Sequence, residues 1–466
     1  MTEFEGLKSL VRKRSDSGFE AFYAMPPEQR DELLLEGIKE QHRRHFERNR
    51  AYRRTIELRG LGPEIEEKDL PGLLRVSAIT FKSYIRQEGI LFPQAEPQRF
   101  LRWLQDHVSL ELPGERFRRF KGRYPSLESL FRAVESVFAD LHLEVVTSSG
   151  TSGKASILIR DAAAVRKATQ AYFTAIDRMW GFRSRHNLLF VMPYETRVAM
   201  ARIARMGTRE LGWGEEGDIA YTMPFKADPD TIRIQSGRMF RPGLAGWWER
   251  SVMFPFMEWA YEALGSPKFV KSTLKALETF CAQNRPILVL GGLIQLDTVA
   301  RELIERGGMQ LPAGSRIATG GGMKSDYART PAEIRENLRQ AFRLPDGSQP
   351  SFGDIYGMAE AHWVAFQCSE GNYHFPPWVY VAVIDDDDRR VEACEATGLL
   401  AFWDPFAGGE VYPPFFQTAD RVRLINGSRH HDPALVCPCG EDSPYLNARS
   451  IQRVDLIEEA GCGATL

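Results

Sequence analysis

The chain has 466 residues, more than one hydrophobic core ordinarily supports, so two or three subdomains are expected. With 43% hydrophobic and 26% charged residues and a formal net charge of -2, its composition is that of an ordinary globular protein and excludes a global drive toward nucleic acid or membrane. The longest apolar candidate, Ile287–Leu296, is short and broken by Gly291 and Gly292, so no membrane span is expected.

The amino terminus mixes both charge signs and lacks the apolar stretch of a signal peptide, which predicts a cytoplasmic protein. Six cysteines in a chain of this length do not make a disulfide framework; in a reducing compartment they serve as core residues, metal ligands or nucleophiles. From Pro26 to about Arg59 a helix is predicted, with Leu33, Leu34, Ile38, His42, Phe46 and Tyr52 as an interrupted stripe. Arg43, Arg44, Arg48, Arg50, Arg53 and Arg54 share this segment with Glu47 and Glu57 and read as a solvated face. The basic cluster Arg116, Arg118, Arg119, Lys121 and Arg123 reads the same way.

Next comes "VVTSSGTSGKASILIRD", in which Val145 and Val146 precede, and Ile157, Leu158 and Ile159 follow, a turn rich in glycine and hydroxyl groups. Such a turn lets backbone N–H and side-chain O–H groups converge on phosphate oxygens. It is not a P-loop, because Ser148 stands where that pattern needs glycine and Ala155 where it needs Ser or Thr. Beyond it, the runs "NLLFVM", "PILVLGG", "SRIATGGG", "PWVYVAVI" and "GLLAFW" alternate with amphipathic stretches, the pattern of an α/β domain with binding sites at strand ends. "AVIDDDDRRVEACEATGLLAFW" reads as an antiparallel hairpin whose Asp385–Asp388 tip is either solvated or a cation site. Trp247, Trp248, Phe254, Phe256 and Trp259 form an aromatic cluster suited to a buried core helix or an acyl pocket.

The run Thr147, Ser148, Ser149, Gly150, Thr151, Ser152, Gly153, Lys154 resembles the phosphate loop of the adenylate-forming superfamily, which grips the β and γ phosphates of ATP. Ala155 replaces the usual proline there, a change in loop stiffness rather than chemistry. "IYGMAEAHW" resembles that superfamily's Tyr-Gly-x-x-Glu motif, which implies Tyr356 and Gly357 beside the adenine and Glu360 as the magnesium ligand. By the same resemblance, Thr418 and Asp420 in "FFQTADRVRLI" and Arg453 and Asp455 in "IQRVDLI" belong to the ribose and the hinge. Gly320, Gly321 and Gly322 would turn beside the nucleotide, leaving Lys324 for a carboxylate or phosphate. "HFERNRAYRR", "LLRVSAITFKSYI", "FQCSEGNYHF" and "VCPCGEDSPY" narrow the resemblance to bacterial acyl-protein synthetases and phenylacetate–CoA ligase relatives, over most of the chain except about 185–286.

The resemblance implies an α/β fold: an adenylate-forming large domain with β-sheets flanked by helices, a helical amino-terminal region over 1–140, an ATP-binding core over 141–440, and a hinge-like segment and Cys-containing tail over 441–466. The usual small carboxy-terminal domain, source of a catalytic lysine, would be absent or severely truncated, leaving Lys324 or a partner protein to act. It implies ATP and Mg2+ as cofactors, a small carboxylic acid as substrate, an acyl-adenylate with release of pyrophosphate, and transfer to a near-terminal cysteine, here Cys462, and on to a reductase. Gly461 and Gly463 flank Cys462, and the span back to Arg453 reaches roughly 30 Å when extended, so the thiol has reach. Glu458 and Glu459 oppose its ionisation, and a spectator thiol is the alternative. His362 would line the acyl pocket, act as a base, or simply pack.

Cys368 and His374, with Cys437 and Cys439 separated only by Pro438, offer four ligands for structural zinc; a buried Cys368 with a cysteine-bearing surface turn accounts for them equally well. His430 and His431 read as loop residues, and Cys281 and Cys394 as packing. Two further functions share the nucleotide site: a ligase loading CoA or a carrier protein without self-acylation, and a non-catalytic nucleotide-binding partner protein.

Overall fold

The computed structural model describes residues 3–12, 17–148, 156–182, 186–210, 218–320, 327–407 and 409–454. They form two compact units, one of Met1–Val146, Ser156–Ala175 and Met358–Leu466, the other of Thr147–Ala155 and Ile176–Gly357. The chain thus changes unit on both sides of the hydroxyl- and glycine-rich sequence 147–155 and again inside "IYGMAE".

In the first unit, the helix Pro27–Arg48 starts with proline in its first turn, where no N–H is lost to the helix ladder, and buries Leu33, Leu34 and Ile38. Asn49 then caps the helix Arg50–Leu58 by accepting the Tyr52 N–H at 2.9 Å, while its amide donates to the His107 carbonyl at 2.8 Å. Arg43, Arg48, Arg50 and Arg54 are exposed as a solvated face requires, Arg43 making a bidentate pair with Glu64, whereas Arg44 is largely buried and pairs with Glu410 and Arg53 is only partly exposed. The stripe is more polar inside than its pattern suggests: His42 bonds Tyr52 Oη at 2.9 Å and the Gly62 carbonyl at 2.8 Å, and His45 meets Ser109 Oγ at 2.6 Å.

The main sheet of this unit is antiparallel: Tyr380–Ile384, Glu395–Trp403 and Phe415–Ile425 lie side by side, followed by short strands Tyr445–Leu446, Tyr373–His374 and Val364–Gln367. The tip of the first hairpin is closed by its own turn, since Asp385 Oδ1 accepts the N–H groups of Asp387 and Arg389, each at 2.9 Å. Two of its remaining acids pair with arginines, Asp387 with Arg389 and Asp386 with Arg421, as expected of a solvated tip. Trp363, Trp378 and Trp403 are fully buried against this sheet, each removing a large apolar area from water.

The second unit holds a parallel sheet in the order Ser351–Gly357, Arg316–Gly320, Ile287–Gly291, Asn187–Pro193, Ile219–Met223. Parallel strands need crossovers, and the amphipathic stretches supply them as the helices Ser266–Ala282, Leu293–Glu305 and Pro331–Ala341. Leu189, Val289 and Ile317 of the strands pack with Phe269, Leu277, Leu296 and Leu338 of the helices in one core. Gly353 is required at its position, because a Cβ there would lie 2.5 Å from the Trp180 ring. The aromatic cluster departs from the expected buried helix: Trp247, Trp248, Phe256 and Trp259 are 52–61% exposed.

Burial lowers the proton affinity of His42 and His107, and drives that of fully buried His45 far below the usual histidine range. These imidazoles fold neutral and charge on unfolding, so the stability they contribute is present above the unfolded value of about 6.5 and is lost as pH falls below it. Replacing His45→Asn should reduce the fall in Tm between pH 7 and pH 5, by a contribution approaching about 1.4 kcal/mol per pH unit. Thermal melts of both proteins across that range check this, and parallel Tm–pH curves would contradict it.

Candidate functional site

The first unit buries a group of ionisable side chains around Glu360. The strand Ile157–Asp161 follows the hydroxyl- and glycine-rich sequence, and all four of Ile157, Leu158, Ile159 and Arg160 are buried. Ser156, the residue immediately before the strand, is 3% exposed and makes a side-chain hydrogen bond to Glu360. Glu360 is itself 7% exposed, and burial pushes its carboxyl above the usual carboxylate range, against the pull of the Ser156 hydrogen bond and the charges of Lys82 and Arg160. The Arg160 guanidinium donates from Nη2 to the carbonyls of Ala359 and Ala361, the latter at 3.0 Å, and Tyr412 Oη donates to the Glu360 carbonyl at 3.2 Å.

Asp404 lies among the same groups, 1% exposed, its Oδ1 accepting from Phe406 at 2.9 Å and Ala407 at 3.0 Å. Burial pushes its carboxyl up to about 7. His362 is 3% exposed; burial, with Arg160 and Lys167 adding like charge, holds it far below the usual imidazole range and therefore neutral. A neutral imidazole is compatible with either the base or the packing reading of this residue.

In the same unit Asp420 and Arg453 are direct partners across the pairing of Phe415–Ile425 with Gln452–Arg453. Thr418 is buried, and its Oγ1 accepts the Asp420 N–H at 3.1 Å, fixing the local turn of the strand at the carboxylate. Three residues that the sequence places with the ribose, from two segments, are therefore adjacent on one strand pair.

In the second unit Thr147 is 1% exposed and tied by its N–H to the Arg197 carbonyl at 2.7 Å, and Ser148 follows it half-buried. Gly320 closes its strand opposite Ile355, next to half-buried Tyr356 and exposed Gly357, and Thr319 Oγ1 donates to Asp354 Oδ1 at 2.7 Å across the same strand pair. Ser149, Gly150, Thr151, Ser152, Gly153, Lys154, Gly321, Gly322, Lys324, Asp455 and Cys462 lie outside the described residues.

Cys368, His374, Cys437 and Cys439 come together, with one potential ligand atom from each inside 4.8 Å of all the others. The Cys368 and Cys437 sulfurs are 3.9 Å apart, and Cys439 Sγ is 3.4 Å from His374 Nε2. Ligands arranged tetrahedrally about zinc at about 2.3 Å for sulfur and about 2.0 Å for nitrogen would be separated by similar distances, so the donor set fits that ion. Ser443 Oγ, 3.3 Å from His374 Nδ1, leaves Nε2 to face the cysteines, and Tyr445 stacks on the ring at a 5.2 Å centroid distance. Although burial alone would lower it, contact with Cys368 and Cys437 holds His374 up at about 9. Burial opposes ionisation of Cys437 too, yet hydrogen bonds from His374 and Asn372 bring it down to about 6. His430 is elsewhere, bonded to Glu392 at 2.5 Å, as a loop residue would be. Half-buried Cys281 makes its contact with the Gln310 carbonyl at 3.5 Å.

Sequence reasoning missed Ser156, Arg160, Asp404 and Tyr412. Only Arg160 left a signal, as a charge in the otherwise apolar run "SILIR", where a buried strand has no evident use for a guanidinium.

Comparison with known proteins bears on both units. An open conformation of 2-hydroxyisobutyryl-CoA ligase in complex with 2-HIB-AMP and CoA aligns with a TM-score of 0.55 and 15% identity, covering 92% of this chain and 76% of that one. The same enzyme in its thioesterification state aligns at 0.52 and 16%, covering 91% and 68%. The chain thus has the α/β fold of the adenylate-forming ligases. Residues 259–466 match the family described as "Acyl-protein synthetase, LuxE", and the long-chain-fatty-acid–luciferin-component ligase of Aliivibrio fischeri is 25% identical over 169 residues, 35% of this chain. The chain spans 41% of the length of that curated relative. The likeness to the acyl-protein synthetases therefore stands on the carboxy-terminal part and the likeness in fold on nearly the whole chain.

Proposed function

We propose that the protein is an ATP-dependent ligase that activates a carboxylic acid as its acyl-adenylate and passes the acyl group to a thiol. The observation that carries this reading is the hydrogen bond between Ser156, which follows the phosphate-loop sequence, and Glu360, the acid of the second motif. Two motifs some two hundred positions apart in the chain share one buried interaction, an arrangement with no purpose in a solvated hairpin turn.

In this mechanism Thr147, Ser148, Ser149, Gly150, Thr151, Ser152, Gly153 and Lys154 hold the departing β and γ phosphates through amides and hydroxyls. Glu360 would hold magnesium, whose charge would offset the negative charge gathering on the phosphates. Tyr356, Gly357, Gly321 and Gly322 border the adenine, and Thr418, Asp420 and Arg453 fix the ribose. Lys324 steadies the substrate carboxylate as one of its oxygens attacks the α phosphorus and pyrophosphate leaves. The mixed anhydride so formed is electrophilic enough for a thiolate to take the acyl carbon and release AMP. Cys462 is the proposed acceptor, with a reductase as the onward partner; the A. fischeri relative points to a fatty acid as the substrate class. The fold shared with a CoA ligase supports a second reading, direct transfer to CoA or a carrier-protein thiol.

We assign Cys368, His374, Cys437 and Cys439 to structural zinc. The site would tie the turn after Val364–Gln367 to the segment before Tyr445–Leu446, fastening short strands that pair over only two residues each. A protein of this kind is proposed to work in the cytoplasm; among the described residues no helix is long and apolar enough to cross a membrane.

Carboxylate-dependent exchange of pyrophosphate into ATP should fall about a hundredfold or more in Glu360→Gln and at least about tenfold in Asp420→Ala. Wild-type exchange in both variants would contradict the assignments. In Cys462→Ala, exchange should persist while the acyl mass on the intact chain disappears; persistence of that mass would remove Cys462 from the mechanism. Elemental analysis should find about one zinc per chain, lost in Cys437→Ser together with several degrees of Tm, whereas a metal-free wild type of equal stability would contradict the zinc assignment.

A further inference from the structure

Arg160 is the costliest unexplained residue of the first unit. Its side chain is buried to 1% exposure in an apolar strand, and Nε and Nη1 have no hydrogen-bond partner among the described residues. A guanidinium deprived of water and using few of its five donors weakens the fold unless the bonds it does make are needed. Those bonds go to the carbonyls of Ala359 and Ala361, the residues on either side of Glu360. The carbonyl between them, that of Glu360 itself, is taken by Tyr412 Oη at 3.2 Å. Three consecutive carbonyls are thus fixed by two side chains, one from the strand Ile157–Asp161 and one from the bend that precedes Phe415–Ile425, and the turn is closed by the Ala361 N–H donating to the Met358 carbonyl at 3.2 Å.

We infer that Arg160 and Tyr412 form a carbonyl clamp that positions Glu360 for its divalent cation. The inference rests on the magnesium role given to Glu360 above. Both are positioning residues: neither needs to touch the nucleotide, and each acts by denying the 359–361 backbone the rotation that would swing the carboxylate off the cation. Because Arg160 lies on the strand that starts one residue after Ser156, the end of the phosphate-loop sequence is joined to the acid through the side-chain bond at Ser156 and the bonds Arg160 makes to the backbone on either side of it. The planar fork of arginine spans two carbonyls separated by one residue in a way the single ammonium of lysine does not.

The test is the affinity of the full chain for Mn2+ in the presence of α,β-methylene ATP, followed by electron paramagnetic resonance as the protein-bound fraction. Tyr412→Phe, which removes one hydroxyl and keeps the ring, should weaken Mn2+ binding at least threefold, and Arg160→Lys at least tenfold, in the direction of Glu360→Gln. Should Arg160→Lys not fold, Tyr412→Phe decides alone. Mn2+ binding equal to wild type in the folded variants overturns the clamp even if Tm falls, since a merely structural role would move Tm and leave the affinity in place. Mn2+ binding by wild type that is insensitive to Glu360→Gln also overturns it. Wild type that binds Mn2+ with the expected variant pattern yet catalyses no pyrophosphate exchange leaves the clamp standing and refutes the ligase reading instead.

Discussion

The structure is organised around a carboxylate held out of water. Moving an ionised carboxyl into a poorly solvated site costs several kcal/mol after relaxation, and nothing in the folding of a sheet requires it. Glu360 is placed there with Ser156 as hydrogen-bond donor and with Lys82 and Arg160 supplying positive charge, which only partly offset the burial. In the proposed mechanism this undercompensated carboxylate is the group that would meet the cation. The surrounding groups follow from the same constraint: His362 is kept neutral by burial beside Arg160 and Lys167, and Asp404 is driven toward its protonated form.

The two units solve different problems of backbone satisfaction. The second unit's parallel strands end together, and Gly320 and Tyr356 stand at neighbouring ends of that sheet, the position at which open α/β sheets present ligand sites. The first unit's antiparallel sheet places chemistry along strand pairs instead: Asp420 opposite Arg453, and His374 opposite both Phe366 and Tyr445. The changes of unit at Thr147 and Ser156 bracket the glycine- and hydroxyl-rich run, and that at Met358 falls inside "IYGMAE", so each unit carries its own share of the residues proposed for the nucleotide. An identity of 15% with a solved CoA ligase is enough to preserve this architecture because hydrophobic pattern and register, rather than particular side chains, determine it.

Much of this was legible in the amino-acid order. "NLLFVM", "PILVLGG" and "SRIATGGG" are strands because short apolar runs bounded by turn residues have few alternatives, and the acidic hairpin is self-closing because Asp385 is well suited to accept backbone N–H groups in a tight turn. The cysteine pairs were visible as spacing, but their meeting depends on the pairing of Tyr373–His374 with strands from two other segments, which spacing does not encode. The partners of Arg160 and Tyr412 were hidden for a related reason: they are backbone carbonyls, which leave no signature in sequence, so the charge in "SILIR" showed only that Arg160 was out of place. The Trp247–Trp259 segment misled in the other direction, since aromatic content suggests a core whereas these rings are largely exposed.

The central claim is that ATP makes a carboxylic acid electrophilic through an acyl-adenylate, in which one carboxylate oxygen becomes bonded to the α phosphorus. Turnover of a fatty acid labelled with oxygen-18 in both carboxyl positions, in the presence of ATP and an acyl-accepting thiol, tests that bond directly by mass spectrometry of the nucleotide product. The account predicts AMP carrying one oxygen-18 atom. Unlabelled AMP, or ADP in place of AMP, would contradict it.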